Sequence, residues 1–205
     1  MLIRAREIFF IHDNFSKASN LLFSDQSILN YIEGRTKGYH SFYEALLHTS
    51  INKSDLQPFQ QIEVEWLINK GIIFIDDNGT LLFDKELLWL MHDLYFNECS
   101  CIAYLKGLEK QISYLNSLGM IRYGSSLLSE PEQNYFNYIF NNAEYDNSMD
   151  LRNKYAHGNQ MADEDFNRNN YYIILRMLIL IIIKINEELC LLDEQKQDNE
   201  LGDNT

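Results

Sequence analysis

The chain has 205 residues, 46% hydrophobic and 13% aromatic, with thirty acidic against seventeen basic residues and a formal net charge of −13. That length and apolar content suffice for one ordinary domain or two small ones, while only two prolines and nine glycines exclude long linkers, low-complexity segments and an all-β fold rich in tight turns. The acidity excludes a general polyanion binder, because non-specific nucleic-acid affinity rests on cationic surface, so any such work needs a local basic cleft.

The opening stretch, MLIRAREIFFIHDNF, has a short apolar run broken by His12 and Asp13, a poor secretory signal. Residues 1–35 mix short apolar and polar runs and read as helical. HSFYEALLHTS (40–50) places Phe42, Leu46 and Leu47 at helical spacing. A second helix is expected from about Pro58, with Ile62, Trp66 and Leu67 on one face, ending at Gly71 where a positive φ is tolerated. IIFI and TLLF follow as two short strands joined by DDNG, a tight-turn signal. Helix, helix and hairpin over 39–83 resemble a winged-helix domain. The helix segment EVEWLINKG is acidic, which favours packing or partner docking over entry into a DNA groove.

From Asp84 onward the pattern reads helical throughout. Asp84 is an N-cap candidate, with Leu87, Leu90, Leu94 and Ile102 on a recurring face, and this segment breaks near Gly107 or stops at Gly119. SEPEQNYFNYIFNNA (129–143) opens on Ser129 with Pro131, Glu130 and Glu132 in the first turn, and directs Tyr135, Tyr138 and Ile139 inward. SMDLRNKYAHG forms a short helix and the stretch from Asp163 to Leu192 a long apolar one. The last residues, 193–205, form a polar, frayed tail. The greasiest segment, 171–185, is interrupted by Arg176 and Lys184 and is too short and too charged to span a membrane. Cys99, Cys101 and Cys190 form neither a disulfide framework nor a zinc-ligand pattern. A cytoplasmic protein is the expectation.

The chemistry concentrates in LRNKYAHG. Arg152 and His157 are five residues apart, about 140° of rotation on an ideal helix. For both to face one cleft the helix must end or distort between them, and Gly158 supplies the stop. Histidine exchanges protons near neutral pH, Arg152 offers a fixed positive charge, and Asn153 adds a neutral donor and acceptor. Leu151 and Tyr155, four apart, anchor the helix. His12, His40, His48 and His92 are scattered and read as packing or surface groups.

An arginine, a polar residue, three variable residues and a histidine, set in a helical region just before a long last helix, resemble the signature of HEPN-domain ribonucleases. Arg152, Asn153 and His157 each fall on a motif position, and the resemblance covers about half the chain, 84–192. It implies a mainly α fold: a HEPN bundle of four or five helices at 84–192, a winged-helix-like N-terminal region at 1–83, and the tail. It further implies metal-independent, cofactor-free cleavage of RNA through its own 2′-OH. Arg152, Asn153 and His157 are then catalytic, with Lys154 secondary, against RNA phosphate. A homodimer formed through the bundle, with both motifs on one cleft, is expected, and the apolar helix near its end points the same way. Family members serve as toxins and antiviral effectors, which implies a cellular RNA such as tRNA as substrate, with an antitoxin or a larger defence complex as partner. The alternative is a non-catalytic adaptor built from a winged helix and a silent bundle, its acidity serving protein contacts.

Overall fold

The computed structural model describes residues 7–10, 12–34, 38–158 and 163–202. The described residues are mainly helical, with eight α-helices and two small antiparallel sheets. By its internal contacts the chain divides into two units, Met1–Gly124 and Ser125–Thr205.

The N-terminal unit opens with strand β1 (Glu7–Phe10), where the sequence pattern suggested helix. Ile8 and Phe9 are both buried, and because successive strand residues point to opposite faces, both faces of β1 are covered. Helices α1 (His12–Phe23), α2 (Phe42–His48) and α3 (Pro58–Asn69) follow. Then come strands β2 (Ile73–Ile75) and β3 (Leu81–Phe83), which pair antiparallel. The expected order of helix, helix and hairpin is therefore present. The hairpin turn is tied by Asp76 Oδ1, which accepts from the amides of Asn78 (2.9 Å) and Thr80 (2.8 Å).

The inward face of α3 differs from the expected one. Gln60, Val64 and Leu67 are buried, whereas Ile62 is exposed and Trp66 only partly covered. Gln60 holds this rotation because its amide finds partners: Nε2 donates to the carbonyls of Ile28 (2.9 Å) and Tyr31 (3.2 Å), and Oε1 accepts from the Gln57 amide (2.9 Å). A satisfied amide is at home in a core that would otherwise favour isoleucine. The helix stops where expected. Gly71 has φ +70°, and Tyr114 donates its hydroxyl to the Gly71 carbonyl at 2.9 Å.

Helix α4 (Lys85–Asn97) starts on Asp84, whose Oδ1 accepts from the amides of Glu86 (2.9 Å) and Leu87 (3.1 Å). It ends sooner than the sequence suggested, at Glu98 in a left-handed conformation (φ 63°), and the chain turns into strand β4 (Cys99–Cys101). Ile102 lies in a short 3-10 turn rather than on the helical face. After α5 (Glu109–Ser117) comes β5 (Ile121–Gly124), and β4 and β5 flank β1 in the order β4-β1-β5. Leu87, Leu88, Leu90, Met91 and Leu94 of α4 share one core with Ile8, Phe15, Leu22, Phe42 and Leu67. A division after Phe83 would expose that leucine face. The chain instead divides after Gly124, so 84–124 belongs with the N-terminal unit and not with the later helices.

Among the described residues the span 84–192 holds the expected number of helices, α4 to α8, but only three of them fall in the C-terminal unit: α6 (Glu130–Phe140), α7 (Leu151–Ala156) and α8 (Glu164–Gly202). The Ser129 capping box is formed, its amide donating to Glu132 Oε2 at 2.7 Å while Oγ accepts from the Glu132 amide at 3.4 Å. Ile139, Leu151 and Met177 are the buried centre, with Phe136, Tyr138, Tyr155, Ile173 and Ile174 packed around them. Tyr135, expected inside, is exposed. Helix α8 does not stop at Leu192 but runs 39 residues to Gly202, through most of the expected tail. No described helix is long and apolar enough to cross a membrane.

Candidate active site

The short helix α7 is set by its two ends. Asp150 precedes it in a left-handed conformation (φ 48°), a region that aspartate and asparagine tolerate better than other side chains. Its carboxylate accepts from Asn153 Nδ2 at 2.7 Å and from Asn142 Nδ2 at 3.4 Å. A carboxylate only accepts, so the Asn153 NH2 group faces Asp150. At the other end the His157 amide donates to the Asn153 carbonyl at 3.1 Å, and Gly158 follows with φ +69°. The helix thus ends between Arg152 and His157, as the spacing requires.

One face of α7 holds it to the unit. Leu151 is fully buried with Ile139 and Met177. One turn on, the Tyr155 hydroxyl donates to Asn167 Oδ1 at 3.0 Å, tying α7 to the first turns of α8. Lys154 is half-buried, its Nζ 5.9 Å from the centre of the Phe166 ring. At 100° per residue, Arg152 and His157 straddle the direction opposite Leu151, with Asn153 between them. Both Arg152 and His157 are exposed, and neither side chain has a hydrogen bond or ion pair among the described residues. Residues 159–162, which follow the motif, lie outside the described residues.

Arg152 in the first turn of α7 and His157 at its C-terminal cap are therefore both open to solvent, while Asn153 is held to Asp150 and Lys154 lies beside Phe166 of α8. Sequence reasoning missed Asp150 as the residue that holds Asn153, and Asn167 as the anchor of Tyr155. The first is not a capping pattern, since Asp150 makes no side-chain bond to the helix amides and accepts from the Asn153 side chain instead. The second spans the loop and carries no local signal. The surroundings are not purely basic, since Asp146, Asp150, Asp163, Glu164 and Asp165 lie within fifteen residues of the motif in sequence. Arg168, in the second turn of α8, is paired with Asp165 at 3.3 Å, with both side chains exposed.

No family model, curated protein or solved structure matches this chain.

Proposed function

We propose that the protein is a metal-independent endoribonuclease of HEPN type, with Arg152 and His157 as its catalytic residues. The carrying observation is the exposure of these two side chains, without protein partners among the described residues, on a helix that is firmly anchored from its other face. A structural arginine and histidine at a helix end would ordinarily be spent on neighbouring carboxylates or carbonyls. Here the carboxylate next to the motif in sequence, Asp150, is engaged by Asn153 and Asn142.

RNA carries its own nucleophile. His157 takes the proton of a 2′-OH, whose oxygen attacks the adjacent phosphorus. The bond from phosphorus to the 5′-oxygen breaks, the leaving oxygen is protonated from solvent, and a 2′,3′-cyclic phosphate remains. Arg152 neutralises the charge that builds on the non-bridging oxygens, where a guanidinium offers paired donors. Asn153, held by Asp150, presents its remaining carbonyl oxygen between the two. Lys154 contributes charge at longer range. In a chain of net charge −13 such an activity fits a toxin or antiviral effector acting on a cellular RNA, with a neutralising or activating partner. The N-terminal unit is then the recognition part. Phe74 and Leu82, cross-strand partners on its hairpin and both 48% exposed, suit a protein contact better than a phosphate backbone.

Induced expression tests this directly. The wild-type chain is expected to slow growth and fragment cellular RNA, while Arg152→Ala and His157→Ala chains, equally abundant and folded, do neither. Identical RNA patterns from all three would favour a non-catalytic adaptor.

A further inference from the structure

A cavity of about 280 Å³ opens at the C-terminal end of α4, lined by that helix, strand β4 and the 3-10 turn Ile102–Tyr104. Trp89, Asp93 and Asn97 recur every fourth residue along α4 and so line it from one helix face. Tyr104 lines it from the turn. Both rings are open to solvent, Trp89 at 47% and Tyr104 at 67%. Trp89 has no cation against it among the described residues. The chain's other tryptophan, Trp66, has Lys17 at 4.6 Å and Lys70 at 5.6 Å from its ring centre.

The polar groups between the rings are set to accept. Asp93 Oδ1 accepts from Asn97 Nδ2 at 2.9 Å, and Oδ2 accepts from the Ser100 hydroxyl. These two bonds hold the carboxylate in one orientation. A carboxylate has about four acceptor positions, and here only two are filled, both by neutral donors. Asp93 has no ion pair among the described residues. Because Asn97 gives its NH2 group to Asp93, its carbonyl oxygen is left as a further acceptor. The helix adds to the same field. The last turn of α4 contains no basic residue and its cap is Glu98, so the negative end of the helix dipole meets more negative charge instead of the cation it favours.

We propose that this cavity binds a guanidinium group, carried by an arginine side chain of a partner protein or by a small guanidine compound. Aromatic faces attract a cation, and a guanidinium is flat, weakly hydrated and able to stack on a ring. Its paired donors suit the two Asp93 oxygens, with others left for the Asn97 carbonyl. A trimethylammonium group would use the rings but leave those acceptors unmet. Drug-sized ligands occupy cavities from about 300 Å³ upward, so this one suits a single planar head group and part of its stem. The net charge of −13 draws such a ligand in from a distance. The site lies in the N-terminal unit and stands whether or not the chain cleaves RNA.

The test uses the full chain and the indole N–H signals of its two tryptophans in a magnetic-resonance spectrum, assigned with Trp66→Phe. Methylguanidinium is expected to shift the Trp89 signal saturably, in the millimolar range, and to leave Trp66 unmoved. Tetramethylammonium at equal ionic strength is expected to bind at least about 10-fold more weakly. Asp93→Asn, close in shape, is expected to weaken methylguanidinium binding about 10-fold or more. Trp89→Leu, changed at an exposed position, makes a second comparison that leaves the Ser100 contact alone, with a similar loss of about 10-fold read on the backbone amides of 97–105. Circular-dichroism spectra are expected to be unchanged. A blocked glycyl-arginyl-glycine peptide separates the sources. Tighter binding than methylguanidinium assigns the site to a partner's arginine, and equal or weaker binding assigns it to a small guanidine. No saturable shift of Trp89, an equal response to tetramethylammonium, or unchanged affinity in either variant would overturn the proposal.

Discussion

Asp150 sits in a backbone conformation that costs an ordinary L-residue about 1–2 kcal/mol, yet its side chain also holds Asn153. These two contributions separate cleanly. Asp150→Gly removes the hydrogen bonds but keeps the comfortable backbone, whereas Asp150→Ala loses the hydrogen bonds and adds strain. We expect the alanine variant to unfold in urea about 1 kcal/mol more easily than the glycine variant, the reverse of their usual order in helices. Equal stabilities, or a more stable alanine variant, would remove the left-handed start of α7. The helix end beside Arg152 and His157 was legible from the sequence, because a helix stop is local: Gly158 after His157 suffices to turn the chain. Leu151 and Tyr155 were legible as the anchors beneath them, whereas Asn167 was not, since Tyr155 finds it only once α8 folds back.

At the scale of elements, α3, α4 and α6 announced themselves through Pro58, Asp84 and Ser129, each of which acts within one turn of its own position. Strands β1, β4 and β5 did not. Their partners lie far along the chain, Ile8 against Ser100 and Tyr123, and three or four residues are too few to show a period. The stop of α3 offers a test of local geometry against packing. A Cβ at Gly71 would run into the Tyr114 hydroxyl oxygen, with the ring carbon behind it at 3.4 Å, and φ is +70°. Gly71→Ala is therefore expected to cost about 2–3 kcal/mol, from left-handed strain, steric conflict and the disturbed hydrogen bond. In a Tyr114→Phe background the steric share disappears, and the same change is expected to cost only about 1 kcal/mol. Equal costs in the two backgrounds, measured by thermal unfolding as a double-mutant cycle, would show that the two residues do not meet.

For the whole molecule, the division after Gly124 follows from burial rather than from any linker composition. A helix whose leucines recur on one face must bury them, but the pattern does not say against what, and in α4 the answer is the N-terminal core. The same ambiguity applies to α8, where an apolar run reads equally as a core helix or an interface, and many of its large apolar side chains are exposed. The molecule that results presents Arg152 and His157 in the open on an otherwise acidic chain. Its function turns on whether that motif cuts RNA. The most direct measurement is to incubate purified protein in excess EDTA with a defined RNA, and with the same RNA carrying 2′-deoxy sugars, and to determine the new ends. Attack by the internal 2′-OH gives a 2′,3′-cyclic phosphate or 3′-phosphate and a 5′-hydroxyl. These ends are expected from the wild type, at least about 100-fold fewer from His157→Ala, and none from the deoxy substrate. Cleavage of the deoxy substrate at a normal rate, or an unchanged rate with His157→Ala, would contradict the assignment.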